Sequence, residues 1–270
     1  MDRTLLILLT AHLLGDFILQ NGWMVSRKRH LGVLALHVLV VTAVTAALLG
    51  SLPPFVLGTI FLTHFAMDGL KIRVMSGPRW RPIAAFSLDQ AVHLAVLVAI
   101  AGIAPTLAGE GLWMHLLANH PEGLRAFYIG LTFVSAVVLT VPVGGHLIGM
   151  LTADLLKQIE QSKIVASGDS HSPRGAAPLE PEIDGLRNGG RYIGWIERGF
   201  VLLLMLINQP EGVGFLIAAK SLFRVGDIRD DRRPRLTEYV IIGTFLSFGW
   251  AMLVSVITIE VIAHWQATLP

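Results

Sequence analysis

Four helix-length apolar segments in the first 105 residues carry ionisable side chains where a membrane helix normally has none. Three segments hold a His/Asp pair spaced i, i+4, which puts both side chains on one helix face, and the fourth holds a lone histidine. A charged group at the centre of a bilayer costs about 2.5–3.5 kcal/mol. These side chains are therefore expected to face a partner, a cavity or a bound ion. In chain order they are His12, Asp16, His37, His64, Asp68, Asp89 and His93.

The composition is that of a polytopic membrane protein. Hydrophobic residues make up 53% of the chain and charged residues 15%, and the mean hydropathy is +0.64. Soluble domains carry about 25% charged residues. We predict an all-α fold, a transmembrane helical bundle of about eight spans (range six to eight), because a span needs ~20 mostly apolar residues. The predicted spans are 4–20, 31–51, 54–74, 84–104, 126–157, 192–208, 212–225 and 237–263.

Basic residues cluster in alternate loops, and this pattern predicts the orientation. The positive-inside rule makes such loops cytoplasmic, which places both termini outside. The basic loops are 21–30, 75–83, 158–190 and 226–236. Ser, Gly, Pro and Asp dominate the third of these loops, a composition that cannot bury a core. We therefore predict three parts: an N-terminal transmembrane bundle with the His/Asp site, a flexible cytoplasmic linker and C-terminal transmembrane helices, at 1–158, 159–189 and 190–270.

The same orientation predicts that the ionisable side chains share one depth. Counting ~1.5 Å per residue from the cytoplasmic helix ends puts the carboxylates roughly 6–9 Å deep and the histidines roughly 9–15 Å deep. Imidazole and carboxylate are the usual nitrogen and oxygen ligands of zinc and manganese, and the chain has no cysteine to offer instead. The predicted ligands of a zinc or manganese ion are His12, Asp16, His64, Asp68, Asp89 and His93.

Other polar residues near this depth are assigned supporting roles. His37 and Asp89 are candidates for moving protons in catalysis. Gln20 and Gln90 extend the polar helix faces and are predicted to hydrogen-bond to the metal ligands. Two readings without a metal stay open for the whole set: hydrogen bonds between helices and a proton or ion relay.

The C-terminal part of the chain offers cations at the same predicted face of the membrane. Arg198, Lys220 and Arg224 lie near inner helix ends, and Glu197 or Glu238 is placed to pair with them. A basic pocket between helices suits a phosphate or a lipid headgroup. We predict that Arg198, Lys220 and Arg224 bind the anionic part of a substrate.

The chain resembles the domain of unknown function 3307 family, which consists of uncharacterised bacterial inner-membrane proteins. The resemblance is best over roughly the first 120 residues, in the segments A-H-L-L-G-D-F-I-L-Q (11–20), T-H-F-A-M-D-G-L-K (63–71) and D-Q-A-V-H (89–93) and in the lone His37. It implies a multi-pass protein of the bacterial inner membrane. The H-x-x-x-D elements are also loosely similar to membrane-bound metal-dependent hydrolases of phospholipids, although the D-x-D-H and H-x-x-x-H-S elements of those enzymes are absent.

The leading hypothesis for function is a metal-dependent hydrolase that acts on a lipid phosphate or another amphiphile at the cytoplasmic leaflet. The expected partners are membrane lipids and not nucleic acid, and a homo-oligomer is left open. A rival hypothesis is a divalent-ion or proton transporter that uses the same His/Asp residues. A third is a membrane scaffold or sensor whose linker and basic loops bind a soluble partner.

Overall fold

A computed structural model describes residues 3–75, 77, 80–168, 189–228 and 234–269. For residues 158–168, 223–228 and 234–237 it describes the backbone alone. Every regular element in these ranges is a helix, as predicted. The helices are α1 Arg3–Leu14, α2 Gly22–Arg27, α3 Leu31–Leu49, α4 Pro54–Leu70, α5 Pro82–Ile103, α6 Leu112–Leu117, α7 Pro121–Val138, α8 Gly144–Gly168, α9 Gly189–Leu206, α10 Glu211–Ile228 and α11 Pro234–Thr268.

Wider π-helical turns extend three of the helices. They follow α1, α4 and α7 directly and cover Gly15–Leu19, Lys71–Met75 and Leu139–Val143. Proline opens α4, α5 and α7, where its missing N–H costs nothing because the first turn has no intrahelical acceptor. The α3 helix ends at Gly50, whose φ of 66° is left-handed and whose N–H donates to the carbonyl oxygens of Ala46 and Ala47.

Five of the described helical stretches are long and apolar enough to cross a membrane, and they indicate a membrane protein. They are Leu31–Leu49, Pro54–Met75, Pro82–Ile103, Pro121–Lys157 and Glu238–Thr268. The other predicted spans fall short for physical reasons. The first, α1 with its π turn, is shorter than the ~20 residues of a straight span. The helix α9 carries three charged residues in its first ten positions, and α10 carries charged residues at both ends. The count of eight spans therefore remains a prediction.

The chain divides into two compact units. The first comprises Met1–Val143 and Val254–Pro270. In it α1 is the central helix, in contact with α3, α5 and α7, and Leu6, Ile7 and Leu8 are each 1% exposed. The C-terminal end of α11 belongs to this unit because Trp265 stacks on Tyr128 with ring centroids 5.0 Å apart.

The second unit is Gly144–Leu253. It has its own apolar core, which consists of Val201, Val213, Phe248 and Ala251. This division differs from the predicted domain boundaries, since the last helix contributes to both units. Most of the predicted linker, residues 169–188, lies outside the described part of the chain.

Candidate functional site

Seven buried polar side chains from four helices meet inside the first unit, and we call them the His/Asp cluster. The π turn after α1 and the helices α3, α4 and α5 supply one or two residues each, and α1 itself supplies one. Six of the seven side chains have residue exposures between 0% and 5%, and the side chain of Asp16 is 9% exposed. The members are His12, Asp16, His37, His64, Asp68, Asp89 and His93.

Close helix packing positions Asp16 in the cluster. Gly15, at the start of the π turn, lies against α3, and a Cβ atom at this position would be 2.7 Å from Cγ2 of Val41 and 3.3 Å from its Cα. A β-branched side chain such as valine has little freedom to move aside. The backbone of Asp16 can therefore approach α3 this closely because the preceding residue has no side chain.

We expect Gly15→Ala to destabilise the protein, although alanine normally favours a helix by about 1 kcal/mol over glycine. The added methyl group would overpack the contact with Val41, which typically costs about 1–3 kcal/mol. The matched control is Gly58→Ala, because a Cβ at Gly58 meets nothing within 4 Å. Thermal unfolding in detergent should show a lower midpoint for Gly15→Ala and an unchanged or higher one for Gly58→Ala. Equal midpoints would contradict the close contact.

Asp16 and two histidines form the centre of the cluster. The Nε2 atom of His64 lies 3.2 Å from Oδ1 of Asp16, and Nε2 of His37 lies 3.4 Å from the same oxygen. These two imidazole nitrogens are 3.3 Å apart. One carboxylate oxygen and two imidazole nitrogens, each from a different helical segment, thus lie within 3.4 Å of one another.

Asp68 connects to the same pair of rings. Its Oδ2 atom lies 3.4 Å from Nε2 of His37 and 3.8 Å from Nε2 of His64. The Asp68 carboxylate and His64 are i, i+4 neighbours on α4, so the helix itself sets their spacing. The sequence pattern correctly places these two side chains on one face.

The four imidazole rings form a continuous series of contacts. The ring centroids of His64 and His93 are 4.1 Å apart, those of His12 and His93 are 5.1 Å apart, and those of His37 and His64 are 5.3 Å apart. Imidazole rings from α1, α3, α4 and α5 are therefore neighbours in one series. A metal ion among these rings would therefore have several imidazole nitrogens within reach, and a proton could pass from one ring to the next.

Two lysines for which the sequence predicted no role in the site are part of it; Lys28 lies in the predicted loop 21–30 and Lys71 in the predicted span 54–74. Lys28 Nζ donates to Oδ2 of Asp68 at 2.7 Å, and Lys71 Nζ donates to Oδ2 of Asp89 at 2.5 Å. The side chain of Lys28 is 14% exposed and that of Lys71 is 32% exposed. Lys71 follows Asp68 by three residues, a spacing that could have assigned it to the same helix face. No comparable signal distinguishes Lys28 from Arg27 and Arg29.

Gln90 connects two members of the cluster, whereas Gln20 does not. The Gln90 Nε2 atom donates to Asp89 Oδ2 at 3.1 Å, and the Gln90 Oε1 atom accepts from His12 Nε2 at 3.2 Å. Such a contact fixes the orientation of an imidazole ring. The Gln20 amide nitrogen is buried and has no hydrogen-bond partner among the described residues.

Several donor and acceptor atoms of the cluster are buried without a hydrogen-bond partner in the described residues. They are Oδ1 of Asp16, Oδ1 of Asp89, Nδ1 of His37 and both ring nitrogens of His93. A buried polar atom without a partner costs about 1–3 kcal/mol. A ligand that used these atoms would recover that cost, and imidazole nitrogens and carboxylate oxygens are ligand atoms for transition metals.

Three overlapping groups of side chains have ligand atoms close enough to hold a metal ion. Within each group one ligand atom from every residue lies within 4.8 Å of the others. His64 and Asp68 each belong to two groups. The groups are His12, Asp16 and His64; His37, His64 and Asp68; and Asp68, Asp89 and His93.

A narrow space adjoins the histidines on the side away from the lysines. It is about 10 Å³ in volume, room for about one water molecule. Beyond His12, His64 and His93 its lining is mostly aliphatic, with the exceptions of Thr45 and Thr63. Both threonine hydroxyls donate to backbone carbonyls of their own helices, so the lining offers little polar surface.

The three predicted substrate-binding residues lie in the second unit. Lys220 Nζ donates to Oε2 of Glu197 at 2.6 Å, and Arg198 Nη1 donates to Oγ of Ser247 at 3.1 Å. The side chain of Arg224 is outside the described residues. The substrate-binding role of all three remains a prediction.

One comparison with known proteins found a relation, and it covers the part of the chain that holds the His/Asp cluster. Residues 4–120 match the model of a family described as "Protein of unknown function (DUF3307)". All seven members of the cluster lie within that range. No curated protein and no solved structure matches the chain.

Proposed function

We propose that this chain, whose residues 4–120 match the model of the DUF3307 family, is a metal-dependent membrane hydrolase that acts on a lipid phosphate or a related amphiphile. The observation that supports this most is the overlap of three buried groups of metal-ligand type. Buried polar atoms are normally paired where their role is structural. This cluster has several buried nitrogen and oxygen atoms without a hydrogen-bond partner among the described residues, which favours a bound ligand.

The chemistry of the donor set suits a transition metal such as zinc or manganese. The ligands of one or two ions would be His12, Asp16, His64, Asp68, Asp89 and His93. A bound divalent metal would supply a nucleophile, because it lowers the pKa of a bound water to about 7. His37, whose Nε2 lies 3.4 Å from both Asp16 Oδ1 and Asp68 Oδ2, would move the proton, and Asp89 is the second candidate.

Lys28 and Lys71 supply positive charge beside the predicted ligands. The cluster contains three carboxylates and only two lysines lie beside it. With neutral imidazoles the whole group therefore retains a net negative charge, which favours a cation. In the present arrangement each lysine neutralises a carboxylate that a metal would use. If the carboxylates held a metal, the two ammonium groups would supply positive charge to a phosphate group beside it.

We expect Lys28→Met to raise the affinity for zinc or manganese by about tenfold. Unit charges about 4 Å apart interact by about 4 kcal/mol at an effective dielectric constant of about 20, and about a third of this energy, about 1.4 kcal/mol, is enough for a tenfold change. The control is Arg29→Met, which removes a neighbouring exposed cation. Competitive titration with a metal-binding dye would measure both affinities. A weaker affinity in Lys28→Met would mean that the lysine supports the site instead of competing with the metal.

The orientation and the eight spans belong to the same proposal. The basic loops face the cytoplasm, both termini lie outside, and the protein resides in the bacterial inner membrane. Sideways entry from the inner leaflet would then bring an amphiphile to a cluster at the depth where headgroups and acyl chains meet.

Cysteine labelling of this cysteine-free chain tests the orientation. Ser26 and Thr106 are both exposed, in a predicted cytoplasmic loop and a predicted outer loop respectively. An impermeant maleimide should label Thr106→Cys in intact cells, and it should label Ser26→Cys only after the cells have been lysed. The opposite result would invert the topology.

Hydrolysis itself is tested with purified protein to which zinc or manganese has been restored. Phosphatidic acid and a polyprenyl phosphate are the substrates, and release of inorganic phosphate is the measured quantity. Activity that a chelator removes and the metal restores supports the proposal. Absence of product from both substrates, with protein shown to contain the metal, would contradict it.

The continuous imidazole series favours one second candidate, a transporter of protons or divalent ions. The mostly aliphatic lining beyond the histidines argues against a polar route through the first unit. Proteoliposomes distinguish the two functions. Flux of a divalent ion or of protons that His64→Ala abolishes, without any hydrolysis, would favour the transporter.

A further inference from the structure

The second unit contains a cavity of its own, in which a few charged side chains stand in a mostly apolar lining. It lies among α8, α9, α10 and α11 and has a volume of about 400 Å³. Its charged lining residues are three cations and one anion, so the cavity favours an anionic ligand. They are Arg191, Arg198, Lys220 and Glu197.

Arg198 is the buried cation of this cavity. It is 5% exposed, and its Nη1 donates to Ser247 Oγ at 3.1 Å. Because the Ser247 oxygen accepts this bond, its hydroxyl proton remains available to donate. The guanidinium and the hydroxyl thus present donors side by side at the cavity wall, and an arginine fork matches the geometry of a phosphate group.

Glycines on two helices provide the space for the guanidinium. A Cβ atom at Gly145 would lie 2.8 Å from Nη2 of Arg198, and one at Gly194 would lie 3.1 Å from Nη1. Both glycines line the cavity. A larger residue at either position would clash with the guanidinium. The two glycines therefore allow the backbone of α8 and α9 to pack directly against this side chain.

The remaining charges support the same site. Glu197, the anion of the lining, is paired with Lys220 at 2.6 Å. Arg191 lies over the rings of Tyr192 and Trp195, at 5.6 Å and 5.2 Å from their centroids. Tyrosine and tryptophan are enriched where headgroups meet acyl chains. The edge of the cavity thus has the composition of a membrane interface.

An apolar surface continues from the cavity along α9. Ile193 lines the cavity and is 55% exposed. Ile196 and Phe200, which follow it on the same helix, are 58% and 49% exposed. A ligand with an anionic head in the cavity could therefore lay an apolar tail on this surface, and such a ligand is an amphiphile.

We propose that the cavity of the second unit binds the phosphate group of an anionic amphiphile, with the Arg198 guanidinium and the Ser247 hydroxyl as its main contacts. The proposal rests on the proposed function for the class of ligand, but the binding needs no metal and no member of the His/Asp cluster. The two proposals can therefore fail separately.

The test measures binding to full-length protein in neutral detergent with a chelator present. The probes are short-chain phosphatidic acid, diacylglycerol of the same chain length and glycerol 1-phosphate. The variants are Gly145→Ala, which crowds the guanidinium, and Arg198→Lys, which keeps the charge but not the fork. The control is Gly149→Ala, on the same helix and lining the same cavity, where a Cβ meets nothing within 4 Å.

Wild type should bind phosphatidic acid at least tenfold more tightly than diacylglycerol. Gly145→Ala and Arg198→Lys should each lose about tenfold in affinity, while Gly149→Ala and His64→Ala stay within about twofold of wild type. If glycerol 1-phosphate binds as tightly and with the same dependence on the variants, the ligand is a soluble phosphate ester. Equal binding of phosphatidic acid and diacylglycerol, or unchanged affinity in both Arg198→Lys and Gly145→Ala, would overturn the proposal.

Discussion

His64→Ala is expected to reduce the zinc or manganese content of the purified protein from about one ion per chain or more to background. His64 belongs to two of the three ligand groups, and its Nε2 lies 3.2 Å from Asp16 Oδ1 and 3.3 Å from His37 Nε2. Its removal therefore takes a nitrogen ligand from both groups at once. Loss of a residue that only orients a ligand costs 10–100-fold in affinity, and loss of a ligand should cost at least as much.

The matched control for this experiment is His115→Ala, which removes an exposed histidine of α6. Elemental analysis of wild type and both variants, after purification without added metal and again after incubation with zinc or manganese, gives the comparison. The control should keep the wild-type metal content. Background metal in the wild type after incubation, or equal content in wild type and His64→Ala, would contradict the metal site.

Asp68→Asn is expected to lower phosphate release by at least about 100-fold, because loss of a metal ligand should cost more than the about 10–100-fold that follows loss of a residue that only orients a ligand. Asp68 is shared by two ligand groups and is the carboxylate paired with Lys28. Asparagine has nearly the same shape and no charge, so it removes the ionic ligand but adds no volume to a buried site. The protein should therefore still insert into the membrane.

The control for Asp68→Asn is Asp154→Asn, because Asp154 has a side chain that is 60% exposed. Activity is measured as phosphate release, and insertion as the yield of monodisperse protein from the membrane fraction. Asp154→Asn should retain wild-type activity. Wild-type turnover in correctly inserted Asp68→Asn would exclude this carboxylate from the chemistry. Together with Lys28→Met, the variant also separates the two partners of one ion pair, since removing the lysine should strengthen metal binding and removing the carboxylate should weaken it.

The free-energy cost of burying charged groups explains why the carboxylates of the cluster are so closely paired. A buried charge that loses its partner costs about 3–5 kcal/mol, and the apolar surroundings of the first unit offer few other partners. Lys28 and Lys71 therefore contact Asp68 and Asp89, whereas an exposed pair such as Asp154 and Lys157 lies 3.8 Å apart at the surface. The same demand makes a bound cation a strong competitor for these carboxylates.

Part of the site could be predicted because helical geometry translates spacing into direction. The i, i+4 spacing in His12/Asp16, His64/Asp68 and Asp89/His93 determines a shared face in each helix, and a count along helices of alternating direction brings these faces to one level. The lone His37 joins them by the same count. The all-helical fold follows from the length and apolar character of the segments.

Other features could not be predicted because they depend on contacts between residues distant in the chain. Lys28 lies in a predicted loop and Lys71 in a predicted span, and their contacts with Asp68 and Asp89 arise when the helix ends pack together. The central position of α1 and the packing of Trp265 on Tyr128 are of the same kind.

By itself, the sequence determined the helices, their apolar character and the direction of the His/Asp pairs, because each of these depends on residues within a few turns of one another. The tertiary structure decided which donor atoms come within 4.8 Å of each other, which lysine meets which carboxylate, and how the glycines beside Arg198 leave space for its guanidinium. These features depend on the approach of separate helices. That approach is set by side-chain packing over whole surfaces, and no local spacing encodes it.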